Sequence, residues 1–310
     1  MSAGVGAAGG PGVRTWLMAI RPATLPASAS GVIVGLGAAW ASGASFRLDA
    51  ALGCMAVALL LQAAANLAND LSDFQRGTDT PDRLGPTRVA AAGLVTVRQL
   101  EFAIGIVLAT AALIGAWLAL IGGPVVIALG VAAILALLAY TGGPFPYGYH
   151  GLGELFVFIF FGLVAVVATA DLQSGRVELL YVMAAIPVGT LTTAILVVNN
   201  LRDTTTDRVA GKHTLAGTFG EGFARAEYLA CLVAAWAVPA GLVVARWAGA
   251  SIAAVPLTLL TLLALPLAVP LWRTVQAGGD PRRLNPVLRG TARLTLVFAL
   301  LFAAGLALSR

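Results

Sequence analysis

Long apolar runs dominate the chain and are interrupted by short polar, Gly- and Pro-containing segments. Nine runs, at about 16–41, 48–71, 99–121, 124–141, 152–170, 178–199, 222–246, 251–272 and 289–309, have or approach the roughly 20 residues a helix needs to cross a bilayer. Their number and length argue for helices rather than a barrel, so the pattern predicts an all-α, polytopic membrane protein with nine transmembrane helices. Two interruptions stand out because carboxylates beside hydrocarbon are costly. They are "NLANDLSDFQRGTDTPD" (66–82) and "NNLRDTTTDRVAGKHT" (199–214).

The two stretches superpose with a shift of 134 positions, which places Asn66 on Asn200, Asn69 on Asp203, Asp73 on Asp207, Gly77 on Gly211 and Thr80 on Thr214. The shared pattern is N-x2-[ND]-x3-D-x3-G, and each copy follows the second of four helices. The chain therefore reads as two four-helix repeats in parallel plus a ninth helix.

Composition supports this reading. The 310 residues are 59% hydrophobic and 11% charged, with a mean hydropathy of +0.91, whereas a soluble domain carries roughly 25% charged residues. Cys54 and Cys231 lie in apolar runs and read as buried small hydrophobes, not as a disulfide framework. The net charge of +5 does not call for nucleic acid, because basic residues in a membrane protein mark the cytoplasmic face and can hold anionic groups. With the N-terminus inside, only Arg47, Arg176, Arg246 and Arg310 of the 19 Lys and Arg residues fall outside. Both acidic stretches then lie at the cytoplasmic ends of helices. Residues 1–13, rich in Gly and Ala, are expected to form a disordered tail without a secretory signal, ahead of one membrane domain at 14–310.

Positions i and i+4 share a helix face, so Asn69 with Asp73 and Asp203 with Asp207 each present two oxygen ligands on one side. Gln62 and Asn66 extend the first polar stripe along its helix. Hard oxygen donors without a cysteine or histidine pair suit Mg²⁺ or Ca²⁺. Arg208 and Lys212 beside one copy, and Arg83 and Arg88 beside the other, turn a bare cation site into a candidate metal–diphosphate site. Asp70 points about a third of a turn away, towards substrate contact or support of the ligands, and Asp79 can ligate or cap. Asp82 and His213 read as loop residues.

Four stretches together resemble the UbiA-type intramembrane prenyltransferases: "RPATLPAS" (21–28), "NLANDLSDFQRGTD" (66–79), "YTGGPFPYGYHGLGE" (140–154) and "NNLRDTTTDRVAGKHTLA" (199–216). The resemblance implies nine helices around a central cavity, Mg²⁺, a polyprenyl diphosphate donor, an aromatic acceptor and a lipid bilayer as surroundings. It places the metal on Asn69, Asp73, Asp203 and Asp207, and the diphosphate on Arg208 and Lys212. Arg21, Asn66, Arg83, Arg88, Tyr140, Asn199 and Asn200 belong with them as substrate contacts. Hydroxybenzoate-type relatives carry an Asp where Gly77 stands here. That departure favours the naphthoate branch, which transfers the polyprenyl group to 1,4-dihydroxy-2-naphthoate with loss of CO₂ and gives demethylmenaquinol for menaquinone synthesis.

Some relatives have a basic residue in the loop from Tyr140 to His150, and this chain has none. Tyr147, Tyr149 and His150 are the candidates for the acceptor carboxylate, or else interfacial anchors. Asp70, Asp79 or the departing diphosphate can take the phenolic proton. The enzyme is expected in the cell inner membrane, with its N-terminus and active-site loops cytoplasmic. The alternatives are a relative acting on 4-hydroxybenzoate or another aromatic acceptor, and a divalent-cation transporter, which would place its acidic motifs near the bilayer midplane. A CDP-alcohol phosphotransferase would show a D-G-x2-A-R-type motif, which this chain lacks.

Overall fold

A computed structural model describes residues 10–77, 84–249 and 256–309, and in them the chain is a helical bundle. Eight helices are long and apolar enough to cross a membrane: α1 (Val13–Ala41), α2 (Leu48–Gln75), α3 (Val97–Gly122), α5 (Gly153–Ser174), α6 (Leu179–Val209), α7 (Glu221–Trp247), α8 (Leu257–Ala277) and α9 (Pro281–Ala307). The shorter apolar helix α4 (Pro124–Ala139) completes the nine expected. The ninth starts earlier than its apolar run, because Asp280 caps a turn at Pro281–Arg283 that leads directly into it.

Local chemistry sets the breaks. α1 is interrupted at Arg21, which adopts φ 56° ahead of Pro22, a residue that brings no N–H to continue the helix. The Thr24 hydroxyl donates to the Arg21 carbonyl and seals the break. α3 opens with a capping box in which Thr96 and Gln99 satisfy each other's backbone N–H groups. Gly123, at φ 74°, and Pro124 then fold α3 back onto α4.

Apolar burial gives little drive between helices already surrounded by lipid, so close contact between small residues holds such bundles. α1 is the clearest case. A Cβ on Gly31 would lie 2.6 Å from that of Ala165, one on Gly35 2.6 Å from the Val166 carbonyl, and one on Gly37 2.7 Å from Ala303 Cα. α1 is thereby locked against α5 and α9 of the same chain. α5 carries a π-helical stretch at Phe158–Val164. Its Gly162 faces Gly189 of α6 so closely that a Cβ would sit 2.7 Å from the Gly189 Cα. Around this framework α6, α7 and α9 share a core built on Tyr181, Tyr228, Phe298 and Phe302. Cys54 and Cys231 are buried and free.

Candidate active site

The helices enclose one large cavity of about 1100 Å³. α2 gives it a stripe at Ala58, Leu61, Gln62, Ala65, Asn66, Asn69 and Asp73, and α6 gives Thr192, Ile195, Leu196, Asn199, Asp203, Thr206 and Asp207. These spacings of three and four residues are one face of each helix. The two motif copies therefore meet across the same cavity. Its charged lining residues, Arg14, Arg21, Asp73, Arg88, Arg202, Asp203, Asp207, Lys212 and Arg289, come from helix segments and loops that meet on the motif side. The opposite end is lined by Val32, Cys54, Leu118, Val126 and Leu172.

Carboxylates and cations are paired within the site. Arg88, from the loop after α2, donates to Asp73 Oδ2, and the Tyr149 hydroxyl donates to Asp73 Oδ1 at 3.2 Å. The Lys212 ammonium lies 3.7 Å from Asp207 Oδ1. Arg202 grips Asp203 with Nε at 2.8 Å and Nη2 at 2.6 Å. The same guanidinium donates to Asn199 and Asn285, and Asn285 donates to the Leu84 carbonyl at 2.9 Å. This chain of contacts ties α6 to α9 and to the loop after α2. Asn69 accepts from the Thr141 hydroxyl at 2.9 Å, beside the cavity.

The loop from Tyr140 to His150 closes over both motifs. Arg76 donates to the carbonyls of Thr141 and Gly143, and the backbone N–H of His213 donates to the Tyr149 carbonyl. Arg76 and Lys212 also lie over the Tyr149 ring, 5.5 Å and 5.7 Å from its centre. The loop has no basic residue of its own, and the two motifs bring one each, Arg76 and Lys212. Tyr147 and Tyr149 are buried and line the cavity, unlike surface anchors. Burial pushes the Tyr147 phenol up, and nearby Tyr140 adds to the shift, so it stays protonated and able to donate. Tyr140, Tyr147, Phe156 and Phe160 form a run of aromatic contacts along the wall, with ring centres 5.4, 4.0 and 6.2 Å apart.

Other expected site residues are placed elsewhere. Asp70 is 1% exposed, does not reach the cavity, and accepts from the backbone N–H groups of Val89 and Ala90 at 3.0 and 3.3 Å. It holds the loop that carries Arg88. Asn200 turns into the protein and donates to Glu154 at 2.8 Å. Asn66 borders the cavity but donates to the Ile20 carbonyl and the Thr24 hydroxyl, bracing the break in α1. Arg208 is exposed, turned off the cavity face of α6, because a residue next to Asp207 points about 100° away on a helix. His150 is exposed and stacks on Phe145, 4.2 Å between ring centres. Asp79 and Arg83 lie outside the described residues. Arg202 and Arg76, read from sequence only as residues of the basic face, are built into the site instead.

The sequence pattern of the UbiA prenyltransferase family matches residues 30–285. A 1,4-dihydroxy-2-naphthoate octaprenyltransferase of Mycobacterium tuberculosis is 41% identical over 293 residues, 94% of this chain and 96% of its own. An enzyme of the same name from Escherichia coli is 36% identical over 308 residues, 96% of each chain. Among solved structures, an apo UbiA homolog from Aeropyrum pernix K1 aligns with a TM-score of 0.64 at 20% identity, over 90% of this chain and 96% of its own. A UbiA homolog from Archaeoglobus fulgidus bound to GPP and Mg²⁺ aligns with a TM-score of 0.64 at 16% identity, over 94% and 99%. These solved structures share the fold described above.

Proposed function

The chain belongs to the UbiA prenyltransferase family, and on that premise we propose that it transfers a polyprenyl group from polyprenyl diphosphate to 1,4-dihydroxy-2-naphthoate. CO₂ is lost and demethylmenaquinol is formed. One observation carries the reading: a single cavity joins paired carboxylates and cations at one end to an aromatic and aliphatic shaft running into the membrane. That is the shape of a donor with a diphosphate head and a hydrocarbon tail.

The donor set fits Mg²⁺. Asn69, Asp73, Asp203 and Asp207 offer only oxygen, and among the described residues no three Asp, Glu, His or Cys side chains form a metal cage. Such a site suits an ion that completes its coordination with phosphate oxygens and water. When bound, Mg²⁺ draws charge off the diphosphate and makes it a better leaving group. Arg88 and Lys212, already beside the same carboxylates, take up the remaining charge of the diphosphate. Arg202 holds Asp203 in place.

The allylic C–O bond breaks and its electron pair leaves with the diphosphate. Tyr140, Tyr147 and Phe156 wall the cation and keep water from it. The ring carbon that bears the carboxylate supplies the pair for the new C–C bond. The C–CO₂ bond then returns its electrons to the ring as CO₂ departs, and aromaticity is restored. Asp70 is occupied by backbone N–H groups and takes no part in proton transfer. The basic asymmetry of the loops supports a cytoplasmic motif end, with the bundle in the cell inner membrane.

Carboxyl-labelled acceptor tests the reaction. The expected result is one labelled CO₂ per prenyl group transferred, and none without donor or Mg²⁺. A product that keeps its label, or preference for 4-hydroxybenzoate over the naphthoate, sinks this acceptor.

A further inference from the structure

Glycine inside a helix costs about 1 kcal/mol relative to alanine, so each such glycine asks for a reason. Most of those here sit where a Cβ would strike a neighbouring helix, as at Gly31, Gly37, Gly53, Gly189 and Gly305. Gly105, Gly222 and Gly241 have room for a side chain but are exposed on the outer surface. Gly115 on α3 and Gly130 on α4 fit neither group. A Cβ at either would meet nothing within 4 Å, and both line the cavity. Neither has a positive φ that would call for glycine. What the missing side chains leave is space inside the cavity.

Their depth says what the space is for. Gly130 lies ten residues before Tyr140, roughly 15 Å along a helix. Gly115 and Gly130 stand seven and six residues from Gly122 and Pro124, at comparable depth on the two arms of one hairpin. The cavity around them is lined by Leu118, Val126, Leu129 and Ala133, with no charged group at that level. A short donor held by its diphosphate near Asp73 and Asp207 ends before this point, and a long one continues past it.

We propose that Gly115 and Gly130 determine tail length: their absent side chains keep the shaft wide enough for the distal isoprene units of a long polyprenyl donor. This rests on the prenyl-transfer reading above. The experiment compares geranyl diphosphate with all-trans octaprenyl diphosphate as donors for Gly115→Leu, Gly130→Leu and the outward-facing Gly105→Leu. Turnover with the octaprenyl donor is expected to fall about tenfold or more in the first two, since a few added methyl and methylene groups in a pocket discriminate by that much. Turnover with the geranyl donor stays near wild type, which also shows that the variants are folded. Gly105→Leu keeps both activities. Equal loss with both donors, equal retention of both, or failure of the Gly115 and Gly130 variants to fold overturns the assignment. Gly115→Ala and Gly130→Ala add a second measure, because a methyl group entering open space leaves the melting temperature unchanged or raised, and a clear drop overturns the claim of free space. Absence of transfer by the wild type from either donor strikes at the prenyl-transfer reading itself, whereas transfer by the wild type without length selection in the variants strikes only at the glycines.

Discussion

Asp70 accepts two backbone N–H groups of the loop at Val89 and Ala90, whereas Asp73, one turn on, faces the cavity between Arg88 and Tyr149. Their replacement by alanine should therefore separate two effects. Asp73→Ala is expected to remove prenyl transfer, on the order of 3 kcal/mol of transition-state stabilisation, in a protein that still folds and inserts. Asp70→Ala leaves buried N–H groups without acceptors, which costs about 1–3 kcal/mol of stability, and should lower the melting temperature first. Turnover with a donor series alongside thermal unfolding in detergent distinguishes them, and near-normal turnover of Asp73→Ala rejects its role. The repeat in the sequence was enough to put Asn69 with Asp73 and Asp203 with Asp207 on one helix face each, and those faces line the cavity, because period and residue type together specify a shared face. It could not rank the cations. Arg202 and Arg208 lie on either side of that face by one residue, and only packing against Asn199 and Asn285 turns the first inward.

At the scale of elements, length and hydropathy made nine helices legible, since a bilayer imposes one requirement on every span. The break in α1 at Arg21 has a local signal in Pro22 that hydropathy alone passes over, whereas the π-helical stretch of α5, where Gly162 meets Gly189, has none in the hydropathy pattern. Gly31 and Gly35 stand four residues apart, a small-residue spacing that can pack helices within one chain or between copies. The structure places both against α5 of the same chain. Gly35→Leu should accordingly behave as an overpacked core substitution, destabilising by about 1–3 kcal/mol or more. The expected readout is a lower melting temperature for the purified protein. An unchanged melting temperature would mean that α1 and α5 do not approach so closely that a Cβ at position 35 lies 2.6 Å from the Val166 carbonyl.

For the whole molecule, the charge on the cavity wall lies at one end, and the orientation proposed from the basic residues of the loops has that end in the cytoplasm. Both native cysteines are buried, so introduced thiols report with little background. Leu94→Cys, 45% exposed in the loop after α2, is expected to react with an impermeant reagent only from the cytoplasmic side. Val177→Cys, 62% exposed between α5 and α6, is expected to react only from the other side. The reverse pattern would invert the enzyme in the membrane. The seam of Gly31 and Gly35 against α5 has a consequence for the cell as well as for the fold. A space of about 1100 Å³ sunk into a bilayer is a ready path for leakage of protons and metal ions. The seam closes α1 against α5, and the apolar wall at Val32, Cys54, Leu118 and Leu172 offers an ion no ligand. An ion drawn in by the carboxylates meets only hydrocarbon beyond them, a costly place for a charge, so the membrane keeps its electrical insulation while the enzyme works.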